Sequence, residues 1–167
     1  MTNTISTTPI ITSGTRFENL GVAPDLVAAL ADQGISESFP IQALTIPDAL
    51  AGRDLCGKAK TGSGKTLAFG VPLLERVGKA EPRRPTALVL VPTRELANQV
   101  KDVLAPLGKV RDRGVIAVYG GVAMGPQVDA LERGVEVVVG TPGRLIDLLE
   151  RNEFSLDAIE ILVVDEA

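Results

Sequence analysis

The run Ala59-Lys60-Thr61-Gly62-Ser63-Gly64-Lys65-Thr66 carries the densest chemistry in the chain. Its glycines allow successive backbone N–H groups to converge on one anion, and the helix expected to start there adds the positive end of its dipole. Lys65 supplies a point charge for the β- and γ-phosphates of a nucleotide, and the Thr66 hydroxyl is placed to ligate magnesium. The bland alternative is a Gly/Ser-rich turn. The Gly-Lys-Thr order at a strand-to-helix junction favours a phosphate-binding loop, although the strict pattern opens with glycine where Ala59 stands.

Asp165-Glu166 follows the apolar run Ile161-Leu162-Val163-Val164. A carboxylate at the tip of a buried strand can hold magnesium, and a neighbouring glutamate can orient and deprotonate an attacking water. Such a pair alone reads as a solvated turn; a phosphate loop upstream changes the balance. Three further segments follow apolar runs: Pro92-Thr93-Arg94-Glu95-Leu96-Ala97-Asn98-Gln99, Gly120-Gly121 and Thr141-Pro142-Gly143-Arg144. Each brings free N–H groups, hydroxyls or an arginine to the carboxyl end of a strand, where open α/β sheets bind ligands. Helix capping by Thr93 and Thr141, with Pro142 in a first turn, explains the same residues, and the two uses share one geometry. Glu95 is expected to partner Arg144 or another strand-end group.

The elements that must position these residues alternate. Strands are expected at residues 54–58, 87–91, 115–119, 135–139 and 161–165, and helices at 24–33, 40–50, 65–77, 94–107, 125–133 and 144–151. Short apolar β-prone runs separated by helical stretches predict a mainly parallel sheet in an open α/β sandwich. Gly70 and Pro72 should shorten or kink the helix that follows the phosphate loop. Cys56, inside the first of these strands, reads as a small buried apolar residue. Residues 1–15 read as a flexible tail and 16–167 as one domain, incomplete at its C-terminal side.

Composition narrows the classes. The 167 residues suit one domain, and 45% hydrophobic with 23% charged residues suits a packed core. No apolar run reaches the roughly 20 residues of a membrane span, and no export signal is evident, so no membrane partner is expected and the cytoplasm is the default compartment. Zero histidines and one cysteine exclude a His/Cys zinc site and a His-based triad. A net charge of −4 argues against coating nucleic acid electrostatically while leaving room for a local basic groove.

Over nearly all of residues 17–167 the chain resembles the DEAD-box RNA helicase family. Its phosphate loop reads Ala-x-Thr-Gly-Ser-Gly-Lys-Thr, that family's version, which accounts for Ala59. Phe17 and then Phe39-Pro40-Ile41-Gln42 look like the Q motif with its preceding aromatic, with Ser38-Phe39 where Pro-Thr is common. Asp165-Glu166 looks like the opening of the Asp-Glu-Ala-Asp box. The resemblance implies a RecA-like phosphate-loop NTPase sandwich, with ATP and Mg2+ as cofactors and Lys65, Asp165 and Glu166 as catalytic residues. It implies that Ala59 to Thr66, Phe17 and Gln42 bind the nucleotide, the ring of Phe17 stacking on the base and the Gln42 amide reading the N6/N7 edge of adenine. Thr66 and Asp165 would hold the metal. Pro92, Thr93, Arg94, Gly120, Gly121, Thr141, Pro142, Gly143 and Arg144 would track the backbone of single-stranded or duplex RNA with little sequence readout, in keeping with an aromatic content of 3%. A second RecA-like domain, outside this chain, would supply an arginine finger. Rival readings are a DNA helicase or other phosphate-loop ATPase, and a nucleotide- or RNA-binding module without catalysis.

Overall fold

The computed structural model describes residues 14–60 and 62–166. The tail expected at residues 1–15, apart from its last two positions, and Thr61 of the phosphate loop lie outside them.

Six helices and four strands follow a 3-10 turn at Phe17–Leu20 among the described residues: α1 (Pro24–Asp32), α2 (Pro40–Leu50), α3 (Lys65–Arg76), β1 (Ala87–Leu90), α4 (Arg94–Val110), β2 (Val115–Val118), α5 (Gly125–Arg133), β3 (Val137–Gly140), α6 (Pro142–Glu150) and β4 (Ile161–Val164). The strands form one parallel sheet in the order β2-β3-β1-β4. Val137 pairs with both Val115 and Ala87, and Ala87 with Ile161, so the strands run level and their carboxyl ends line up.

The side-chain period of two sorts the core into two layers. Ala87, Val89, Val137 and Val139 pack with Leu26, Leu30, Ile46, Val71, Leu74, Val100 and Leu104 on one face. Leu88 and Val138 pack with Leu131, Leu145, Leu148 and Phe154 on the other. Helices therefore cover both faces, the α/β sandwich that the alternating runs predict.

Four expectations fail here. Residues 54–58 form no strand; residues 51–58 are exposed, and the segment runs irregularly into the phosphate loop. A groove of about 410 Å³, lined by Asp54, Leu55 and Gly57 on one side and Ile161 to Val164 on another, separates it from the free edge of β4. Its backbone meets water and not a partner strand, so nothing compels pairing. Cys56 is accordingly exposed. Nor is α3 shortened: it runs through Gly70 and Pro72 to Arg76. Gly70 serves packing, since a Cβ there would collide with Leu104 of α4. Helix α4 extends through Pro106 to Val110, beyond its expected end.

Candidate nucleotide and nucleic-acid sites

The phosphate loop is shaped by glycines at the two points where the backbone turns left-handed. Gly62 and Gly64 both have φ near +81°, a region costly to a residue with a Cβ. Gly64 is the N-cap of α3, so Lys65 and Thr66 open the helix and their N–H groups point out of its end. Ser63 bends back through its N–H to the Lys60 carbonyl at 3.2 Å. Its Oγ is buried without a hydrogen-bond partner among the described residues, an orphan that an anion or a hydrated cation in the loop would satisfy.

The far wall is the end of β4. Asp165 donates its backbone N–H to the Leu90 carbonyl at 2.9 Å, which fixes this carboxylate to the strand next door. Lys65 Nζ lies 4.0 Å from Glu166 Oε1. Lys65 and Asp165 also line the same groove. Burial holds the Asp165 carboxyl above its ordinary range, Lys65 pulls it partly back, and Glu166 adds to the rise. Glu166 has φ near +55°, unusual for a residue with a side chain and typical of constrained sites. A half-buried carboxyl beside a second acid, in the groove that Lys65 at the head of α3 also lines, suits a hard cation such as Mg2+.

The Q-like segment is packed into the fold. Phe17 is 1% exposed and packed in the core, so neither face of its ring is open to a base. Gln42 is also 1% exposed. Its Oε1 accepts the Phe39 N–H at 2.8 Å and its Nε2 donates to the Gly64 carbonyl at 2.9 Å. The amide expected to read adenine thus ties the start of α2 to the phosphate loop in this structure. The reason is burial: a polar side chain inside the fold is held by the nearest backbone groups.

At the other carboxyl ends, the three strand-end segments converge. Val91 N–H donates to the Gly140 carbonyl and Thr141 N–H to the Val118 carbonyl, both at 3.0 Å, so each segment leaves its strand anchored to the next. Thr93 caps α4, its Oγ1 accepting the Leu96 N–H at 3.2 Å, whereas Thr141 sits at the N-cap of α6 without a side-chain cap bond. Arg144 Nη2 donates to the Val122 carbonyl at 3.1 Å, and its Nη1 is buried without a partner among the described residues. A Cβ on Gly121 would stand 3.6 Å from Arg94 Nη1. Arg94, Gly121 and Arg144 thus form one cluster, with Pro92, Thr93, Gly120, Pro142 and Gly143 at its rim. Glu95 pairs with Arg94 Nε at 2.8 Å, not with Arg144, because neighbours at the exposed head of α4 reach each other first. Sequence reasoning missed Gln127, whose Nε2 donates to the Tyr119 carbonyl at 3.1 Å and braces the Gly120-Gly121 turn. Its position on α5 carries no local signal for that long-range contact.

A family model described as DEAD/DEAH box helicase matches residues 39–167. The chain is 45% identical over 159 residues to "DEAD-box ATP-dependent RNA helicase 9" of Oryza sativa subsp. japonica, covering 92% of this chain and 25% of that protein. It is 46% identical over 152 residues to "DEAD-box ATP-dependent RNA helicase CshA" of Streptococcus pneumoniae, covering 91% of this chain and 29% of the relative. A crystal structure of the RNA helicase Prp28 from Chaetomium thermophilum bound to ADP superposes with a TM-score of 0.84 at 36% identity, over 94% of this chain and 39% of that one. The chain thus spans between a quarter and two fifths of the proteins it matches here.

Proposed function

The chain belongs to the DEAD/DEAH box helicase family, and from that premise we propose that it is the ATP-binding part of an ATP-dependent RNA helicase whose hydrolysis also needs a second RecA-like domain. The observation that carries this reading is the meeting of Lys65, at the head of α3, with Asp165 and Glu166, at the end of β4. Residues a hundred positions apart on the chain put one cation and two carboxylates beside the phosphate loop.

The loop N–H groups and Lys65 bind the phosphates and neutralise their charge. The Thr66 hydroxyl and the Asp165 carboxylate would hold Mg2+, which supplies charge neutralisation at the transferred phosphoryl group. Glu166 has the remaining role. Its carboxylate, off the left-handed turn after β4, orients a water and accepts its proton. With the phosphates absent, Glu166 keeps Lys65 partly compensated, so nucleotide binding exchanges one anion for another at the same ammonium.

The Arg94–Gly121–Arg144 cluster binds the RNA backbone. Its donors are an exposed guanidinium, the N–H groups of glycines and the unpartnered Arg144 Nη1, which suit phosphate oxygens and carry no base readout. The relatives' printed names support RNA as the nucleic acid and ATP as the nucleotide.

The test is RNA-stimulated phosphate release from a polypeptide joining this chain to a second RecA-like domain. Glu166→Gln should slow release by about 10²- to 10⁴-fold while ATP binding persists. Release at the unmodified rate would remove Glu166 from the chemistry.

A further inference from the structure

We propose that Gln127 is a positioning residue for RNA: together with Arg144 it fixes the Gly120–Gly121 turn in the shape that receives the nucleic-acid backbone. The proposal rests on the RNA reading of the Arg94–Gly121–Arg144 cluster and adds to it a residue that touches no RNA.

The end of β2 is held by backbone as far as Val118, whose carbonyl accepts the Thr141 N–H. Beyond Tyr119 the chain is exposed at residues 120–123, and the N–H groups of Gly120, Gly121 and Val122 donate to no backbone carbonyl among the described residues. Two adjacent glycines give such a stretch wide conformational freedom. Gly121 takes φ near +83°, and a Cβ on Gly120 would meet nothing within 4 Å. The turn therefore offers free donors with open space above them, and its shape has to come from side chains.

Two buried groups grip it, one on each side of the glycines. Gln127 Nε2 donates to the Tyr119 carbonyl at 3.1 Å, and Arg144 Nη2 donates to the Val122 carbonyl at 3.1 Å. Asn98 Nδ2 holds the Tyr119 hydroxyl at 3.0 Å, so α4, α5 and α6 all converge on this turn. In a planar trans peptide the C=O and the next N–H point in opposite directions. A Tyr119 carbonyl drawn toward the buried Gln127 turns the Gly120 N–H away from the core, where a phosphate oxygen can accept it. Donors set before binding spare the ligand the cost of ordering them.

Gln127 is costly for a residue that only packs. Helix α5 buries Gln127 and Leu131, one turn apart, so Gln127 fills a position on the apolar stripe. It is 8% exposed, and its Oε1 is buried without a partner among the described residues. A half-satisfied buried amide is a penalty that an apolar side chain of the same length would not carry.

The test measures a fluorescein-labelled decauridylate binding at low salt to the 167-residue chain and to Gln127→Met, which keeps the length and loses the hydrogen bond. RNA affinity should fall about tenfold. Mg2+-ATP affinity should stay the same, and the urea midpoint should move little because the unpartnered Oε1 goes as well. Arg144→Ala, alone and combined with Gln127→Met, completes a cycle. Two grips on one turn act as a unit, so the combined loss should fall short of the product of the single losses. Unchanged RNA affinity in Gln127→Met would overturn the proposal, as would a parallel fall in RNA affinity, ATP affinity and urea midpoint, or losses that multiply in full. Arg94→Ala separates this from the reading beneath it: RNA affinity lowered by Arg94→Ala and untouched by Gln127→Met removes Gln127 alone, whereas an unmodified chain that binds no RNA overturns both.

Discussion

The strand-end cluster and the phosphate loop are both short polar segments at an edge of the same core, yet they are held by different means. The cluster leaves three strands in level register, each end hydrogen-bonded backbone to backbone to its neighbour. The phosphate loop enters from an exposed irregular segment and is held by side chains: Gln42 on one flank, Phe39 on the next, and Lys65 facing Glu166 across the groove. Backbone-held strand ends tolerate side-chain change and fail when the core fails. A side-chain-held site can fail while the core stands.

That difference is broken most strongly in the core. Leu104 is fully buried between α4 and Gly70 of α3. Leu104→Ala should cost about 2–5 kcal/mol of unfolding free energy, read from urea denaturation. While the variant remains folded its ATP affinity should stay close to that of the unmodified chain; a selective loss of ATP binding without loss of stability would erase the distinction between the two regions.

Gln42→Ala probes the loop side and should be milder. It removes the two hydrogen bonds that the buried Gln42 amide makes, a cost of about 1–3 kcal/mol. ATP and tripolyphosphate affinity should fall together, and amide exchange across residues 54–64 should quicken. A loss confined to ATP, with tripolyphosphate and GTP spared, would return Gln42 to adenine reading.

Much of this was legible in sequence because it is local or periodic. The strands at 87–91, 115–119, 135–139 and 161–165 are apolar runs whose burial is set by alternation, and each forms within two residues of its expected bounds. The phosphate loop is legible because glycine spacing and the Lys-Thr pair are themselves the geometry. The misses depend on distant partners. Leu55 and Cys56 have strand-like chemistry, but a strand needs an edge to pair with, and the β4 edge stands across a groove. Phe17 and Gln42 have the right types for a base site; that both are buried is decided by how the turn at Phe17–Leu20 packs on α1 and α2 and by how α2 packs on α3. No spacing rule encodes that.

A smaller effect follows from Asp165. Its carboxyl is held above the ordinary 3.8, chiefly by burial. A raised native pKa means the folded state binds the proton more readily than the unfolded one. The stability it contributes is therefore present below 3.8 and lost as pH rises through the native value. Metal holding runs the other way, since it needs the carboxylate. Mg2+-dependent ATP affinity should begin to weaken on acidification before pH 3.8 is reached, and Asp165→Asn should flatten that part of the profile. A profile unchanged by Asp165→Asn would detach this carboxyl from the metal.

The central claim is that Lys65 and the loop around it bind nucleoside triphosphate phosphates. Its most direct measurement is calorimetric titration of Mg2+-ATP into the 167-residue chain and into Lys65→Ala, with unfolding curves of both recorded alongside. The account predicts saturable binding that Lys65→Ala weakens about tenfold or more, since a charge-assisted bond to phosphate is lost, with the unfolding midpoint little changed. Equal affinity in the two proteins, or binding by neither, would contradict it.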